Sequence, residues 1–297
     1  MHWGTLMAEK NIIISCDTTI ALSKDEILKE GLNVIPLNAI VDGVEYHDTV
    51  DINAEKLCDL MRKGAKVTTS TPAIGIIEQY FDELFEKTKA DKIIHFTISS
   101  KLSSMFSLFT TVCKEKYQDK VIVVDSLSIC IWINQQVKYA NYLVKQGYEA
   151  EEIVKKVQDE LKGIEDCVFV PESLEYLKRG GRISPAIASI ANFIGVLPVL
   201  TFKNGEVGKK GVTRTMQKAF ITAFNEWEAN IKNFKEEYDL VLLSSDAANK
   251  DRIEKVESIL KEFIKGMNVI HTNLSLNVTA HVGPGTIGFG INKKIKM

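Results

Sequence analysis

The sequence predicts an α/β protein of two domains: an α/β/α domain with a parallel sheet over residues 10–163, then a second α/β domain with a mixed sheet over residues 164–297. Three observations predict this. The 297 residues suffice for two ordinary cores. In the first half, short β-branched runs alternate with helix-period segments, which implies right-handed crossovers and a parallel sheet. After Gly163 a hairpin signal enters the alternation, so antiparallel pairs must join the second sheet.

The elements run in chain order. Residues 11–15 (NIIIS) form a β-branched run. Ser23-Lys24-Asp25-Glu26 then reads as a capping box, in which hydroxyl and carboxylate satisfy free N–H groups at a helix start, and Gly31 closes that helix. Residues 34–37 and 39–41 read as strands, with Asp42-Gly43 as a turn. Asn53 caps a helix ending near Gly64. Thr71-Pro72 starts the next, whose Ile76, Ile77, Tyr80, Phe81, Leu84 and Phe85 recur at spacings of three and four. Residues 92–98 read as a buried strand, 104–117 as a helix, 121–125 (VIVVD) as a strand and 131–145 as a helix. In the second half the readings are a strand at 167–170, a short helix at 174–178 stopped by Gly180-Gly181, and a weakly charged stretch at 183–196. A hairpin over 197–214 turns at Asn204-Gly205. It is followed by a helix (215–232), a strand (240–244), a helix (250–265) and closing strands at 269–276 and 279–282.

Composition narrows the function. With 45% hydrophobic and 26% charged residues the chain has the balance of a folded soluble protein, and its net charge of −2 lacks the basic excess of a nucleic-acid binder. Cys16, Cys58, Cys113, Cys130 and Cys167 form no CxxC pair and fall in apolar runs, as buried thiols in a reducing cytoplasm do. The five histidines show no HxxxH or HExxH spacing, so no metal site is expected. No apolar run approaches the ~20 residues that cross a bilayer. Residues 1–10 carry no cation ahead of an apolar core, unlike a secretion signal, and a cytoplasmic location is expected.

Several motifs bear on chemistry. Gly283, Gly285 and Gly288 in GPGTIGFG satisfy G-x-G-x-x-G, but only nine residues remain to hold the helix and acidic strand of a dinucleotide site. A tight turn near a pocket fits better. No G-x-S-x-G elbow occurs. Asp17 and Asp125 each end an apolar strand, at the sheet edge where ligands bind, or simply cap the next helix. Thr68-Thr69-Ser70-Thr71 and Ser99-Ser100-Lys101-Leu102-Ser103-Ser104 each precede a helix. Both read as strand-to-helix junctions of the parallel sheet, where free N–H groups favour an anion. Capping alone also explains them, yet the two junctions can converge on one carboxylate.

Five segments together resemble the DegV family. Thr69-Ser70-Thr71-Pro72 is similar to its T-S-Q-P segment, and Ile98-Ser99-Ser100-Lys101-Leu102-Ser103 to its I-S-S-x-L-S-G-T segment. Val124-Asp125-Ser126 matches its V-D-S. Residues 174–183 (LEYLKRGGRI) are similar to L-x-Y-L-x-x-G-G-R-I, and His281-Val282-Gly283-Pro284-Gly285-Thr286 to the closing H-x-G-P-G-T. The resemblance implies a DegV-like two-domain fold that holds one long-chain fatty acid in an interdomain tunnel. It implies a lipid-binding protein rather than an enzyme, with a palmitate-like, stearate-like or oleate-like ligand and no cofactor. The partner it implies is a separate fatty acid kinase that converts the presented carboxylate into acyl phosphate. Implied head-group residues are Thr69, Ser70, Ser100, Ser103, Ser104 and His281, with Arg182 and Arg214 facing the partner. The chain departs from the pattern at Ser104-Met105 (usually Gly-Thr), Thr71 (usually Gln), Thr18 (usually Ser) and Leu197 (usually Lys).

The tail would set affinity and the head group orientation. About fourteen methylenes at roughly 0.8 kcal/mol each give on the order of 10 kcal/mol, against about 1–3 kcal/mol for each hydroxyl contact. Residues 183–200 and the helix faces after Thr71 and Ser104 are the expected tunnel lining. The alternatives are a hydrolase using Ser103 and His281, or a carrier of another amphiphile such as an isoprenoid.

Overall fold

The computed structural model describes residues 11–163, 165–190, 195–246 and 249–297. The reading of residues 1–10 lies outside these, as does part of the stretch 183–196. The strands are β1 (Ile12–Asp17), β2 (Asn33–Ile35), β3 (Asn38–Val41), β4 (Val44–His47), β5 (Val67–Ser70), β6 (Lys92–Thr97) and β7 (Val121–Asp125). The second half adds β8 (Asp166–Val170), β9 (Leu197–Lys203), β10 (Glu206–Thr213), β11 (Tyr238–Ser244), β12 (Val269–Asn273) and β13 (Ile287–Lys293).

The β-branched runs of the first half form a parallel sheet in the order β2-β1-β6-β7. Helices Ile74–Thr88 and Met105–Lys116 pack together on it, and their Phe81 and Phe109 enclose His95. Helix Cys130–Lys145 packs against β1 and against helix Ala150–Leu161, which the sequence reading did not resolve. The capping box at Ser23 and Glu26 is present, and Gly31 takes the left-handed conformation that ends the helix.

Not all of the first half belongs to that sheet. Asp42 and Gly43 both have positive φ (50° and 86°), as a type I′ hairpin requires, and join β3 to β4. β5 pairs antiparallel with β3, giving a small sheet β4-β3-β5. The hydroxyl cluster 68–71 therefore lies on a strand of this antiparallel sheet and not at a junction of the parallel one. Nor does Thr71 cap a helix: the next helix starts at Ile74 behind Ala73, without a side-chain cap.

The third sheet runs β10-β9-β8-β13-β11-β12, antiparallel except for the parallel pair β11 and β12. Alternation along its strands sorts side chains onto two faces. Val168, Val199, Leu242, Ile287 and Phe289 pack with Phe220, Phe224 and Trp227 of helix Met216–Asn230. Cys167, Phe169, Leu200, Phe202, Val241 and Leu243 instead join the core of the parallel sheet.

Two expectations for the C-terminus are overturned. Residues 279–282 are not a strand but belong to helix Leu276–Val282, because the Ser275 hydroxyl accepts from Val278 N and nucleates a turn. Residues 287–293 are not merely the end of a glycine turn but a central strand. The helix packs on the small sheet of the first half, where Leu276 and Ala280 join Ala39, Leu57 and Met61 in one core.

Candidate functional site

The loops after β6 and β7 are held by carboxylates at the sheet edge. Asp17 accepts from Thr19 N (2.8 Å), from the Thr19 hydroxyl and from Ile98 N (3.1 Å). Burial raises its pKa against those lowering hydrogen bonds. Asp125 accepts from Ser100 N (3.0 Å) and Leu127 N (3.1 Å). Both therefore fix backbone. Ser99, fully buried, donates to Gly205 O (2.6 Å) across to the β9–β10 hairpin. A β-carbon on Gly205 would lie 2.6 Å from that hydroxyl and 3.0 Å from Leu127 O, so only glycine lets the hairpin dock.

Where the three sheets meet there is a cavity of about 380 Å³. One part of its wall is polar: Thr69, Ser70 and Thr71 from β5 and its exit, Ser103 and Ser104 from the loop after β6, and His281. The rest is largely apolar, including Ile98, Met105, Ile129, Phe169, Phe202 and Leu243.

His281 is brought to Thr69 by the helix laid across the small sheet; Thr69 Oγ1 and His281 Nε2 are 3.0 Å apart. The other ring nitrogen, Nδ1, is buried and has no hydrogen-bond partner among the described residues. A β-carbon on Gly180 would lie 2.2 Å from it, which is why the chain carries glycine there. Burial, and then the nearby Arg182 charge, hold the His281 pKa down to about 4, so the imidazole is neutral at neutral pH. Arg182, exposed at the mouth, donates to Leu102 O (3.3 Å) and to Gly180 O. Among the described residues its hydrogen-bond partners are carbonyls, and no carboxylate pairs with its charge. Ser103 Oγ accepts from Met105 N (3.3 Å), which leaves its own proton to donate. The wall thus offers hydroxyl donors and one cation around a single point, an arrangement suited to one anionic group.

Five of the six expected head-group residues thus line one cavity. Ser100 does not; it is exposed, turned away by the bond from its N–H to Asp125. Arg182 lines the mouth, whereas Arg214 is exposed and outside the cavity. Among the described residues of 183–200 none lines it, because Ile187, Ile190 and Leu200 are consumed by the core. Sequence reasoning missed Thr19, Trp132 and Asn277 in the wall. All five cysteines are buried and free, and no cluster able to hold a metal occurs among the described residues. No helix among them is long and apolar enough to cross a membrane.

The family model described as "Uncharacterised protein, DegV family" matches residues 11–294. The chain belongs to the DegV family. DegV domain-containing proteins similar to it include one from Staphylococcus aureus (strain MRSA252), 31% identical over 290 residues and covering 96% of this chain and 99% of the relative. Another, from Mycoplasmopsis pulmonis, is 28% identical over 284 residues, 95% of each chain. Among solved DegV structures, that of a fatty-acid-binding DegV family protein from Thermus thermophilus superposes with a TM-score of 0.81 at 25% identity, covering 96% of this chain and all (100%) of that one. A stearic acid-binding protein from Eubacterium ventriosum shares the DegV fold at a TM-score of 0.79 and 23% identity, over 97% of this chain and 99% of its own.

Proposed function

We propose that this chain binds one long-chain fatty acid, with the tail in the apolar part of the cavity and the carboxylate at Thr69, Ser70, Ser103, Ser104 and His281. The observation that carries the reading is the cavity itself: apolar over most of its wall, with hydroxyls, a neutral imidazole and Arg182 gathered at one place. The fatty-acid binding named for the Thermus thermophilus relative supports it. Several donors are needed, because one hydrogen bond nets about 1–3 kcal/mol, less than an unpaired buried carboxylate costs. With domains divided near residue 163, the tail lies between them. The acid is then presented to a separate kinase for acyl-phosphate formation, with Arg182 at the mouth and exposed Arg214 toward that partner. A hydrolase would need Ser103 on His281; instead the imidazole Nε2 faces Thr69 at 3.0 Å and Ser103 Oγ faces Met105 N. The chain acts as a carrier.

The test is Thr69→Ala combined with Ser103→Ala. The double variant is expected to lose most co-purifying acyl chain, read by denaturing mass spectrometry of extracted lipid, while unfolding stays cooperative. Wild-type occupancy in the double variant would reject the head-group site.

A further inference from the structure

β13 reads Ile287-Gly288-Phe289-Gly290-Ile291, and its two glycines face the same side. Registers place Gly288 beside Phe169 and Leu243, and Gly290 beside Cys167 and Val241, all on the face toward the parallel sheet. Neither glycine has the positive φ that would demand glycine. Space, not backbone conformation, therefore explains them.

The two spaces are used differently. Over Gly290 sits Trp132: a β-carbon there would lie 3.0 Å from its Cζ2, and also 3.1 Å from Asp166 O. The indole N–H donates to Ile291 O (2.8 Å), and its ring stacks on Phe202 at 6.2 Å and 24°. With 2% of its surface exposed, it is locked from three sides. Gly288, in contrast, lines the cavity, with a β-carbon position 3.3 Å from Cys167 Sγ and 3.3 Å from Leu243 Cδ1. β13 leaves the His281 end through the turn at Gly283 and Gly285 and runs from Gly288 to Gly290, two residues or about 7 Å further on.

We propose that this step gauges acyl length: the tail lies over Gly288, and the Trp132 indole over Gly290 is its end stop, backed by Phe202. A side chain at residue 288 shortens the usable cavity from its floor, and a smaller ring at residue 132 lengthens it. The inference rests on the fatty-acid reading and adds to it the residues that select the ligand.

The experiment compares acyl chains extracted from the wild type, Gly288→Ala and Trp132→Phe, and their affinities for C14, C16 and C18 saturated acids. Gly288→Ala is expected to shift the extracted population to shorter chains, losing about tenfold in affinity for every two methylenes forced out of the cavity. Trp132→Phe is expected to shift it to longer chains. Folded variants that both keep the wild-type chain distribution overturn the gauge while leaving fatty-acid binding standing. A wild type that carries and binds no fatty acid overturns both.

Discussion

The two faces of the six-stranded sheet are made by alternate residues of the same strands, yet one is solid and the other encloses a cavity. On the solid face Phe289 meets Phe220 and Trp227, each with ring centroids 5.4 Å away. On the open face the flanking positions of the same strand are Gly288 and Gly290. The difference is one of side-chain volume at fixed backbone. At Gly288 the omitted side chain opens onto the cavity, whereas at Gly290 the same omission makes room for the Trp132 indole.

The largest effect should fall on the solid face. Phe289→Ala is expected to cost about 3–5 kcal/mol in urea or guanidinium unfolding, as truncation of a buried aromatic does, with acyl retention unchanged in the folded protein. If Phe289→Ala emptied the cavity of lipid without a large loss of stability, the separation of the faces would fail.

Removing the lipid should act through the open face alone. Readding fatty acid to delipidated protein at a hundred times its dissociation constant should restore about 2.7 kcal/mol of stability. Hydrogen exchange should report protection around Thr69, Ser103 and His281, but little change in helix Met216–Asn230. Equal protection on both faces would blur the comparison.

The smallest effect, taken over a single pH unit, is in titration, and two histidines sharpen it. His95 is enclosed in the parallel-sheet core, where burial drives its pKa to about 3. Its ordinary value is 6.5, so as pH falls below that the unfolded chain takes up a proton that the native protein refuses. Its contribution to stability should therefore decline by about 1.4 kcal/mol per pH unit, a slope absent from His95→Phe. His281 begins at about 4, but a carboxylate beside it favours the charged imidazole, so fatty acid should raise its pKa in an NMR titration and leave that of His95 unmoved. Equal behaviour of the two rings would place the head group elsewhere.

The parallel sheet was legible because its strands are apolar β-branched runs spaced by amphipathic helices. The small sheet was not: β5 (Val67–Ser70) carries three hydroxyl residues and reads as a capping loop until β3 is seen beside it. β13 was hidden for the opposite reason. Glycine is a poor strand former in isolation, and what makes Gly288 and Gly290 acceptable is the cavity and an indole from a helix more than 150 residues earlier. The nearness of His281 to Thr69 came only through the family resemblance, since the two lie 212 residues apart. A local signal did exist for the helix that carries it, in Ser275 acting as cap.

That helix has a temporal consequence. Asn277 bonds Asn38 O across 239 residues, and His281 faces a residue translated far earlier. A ribosome working toward the C-terminus therefore exposes the small sheet and the hydroxyls of β5 long before their partner emerges. The nascent protein is an unfinished vessel: Thr69 waits 212 residues for His281, and the wall of the cavity is incomplete until Gly288 has been added.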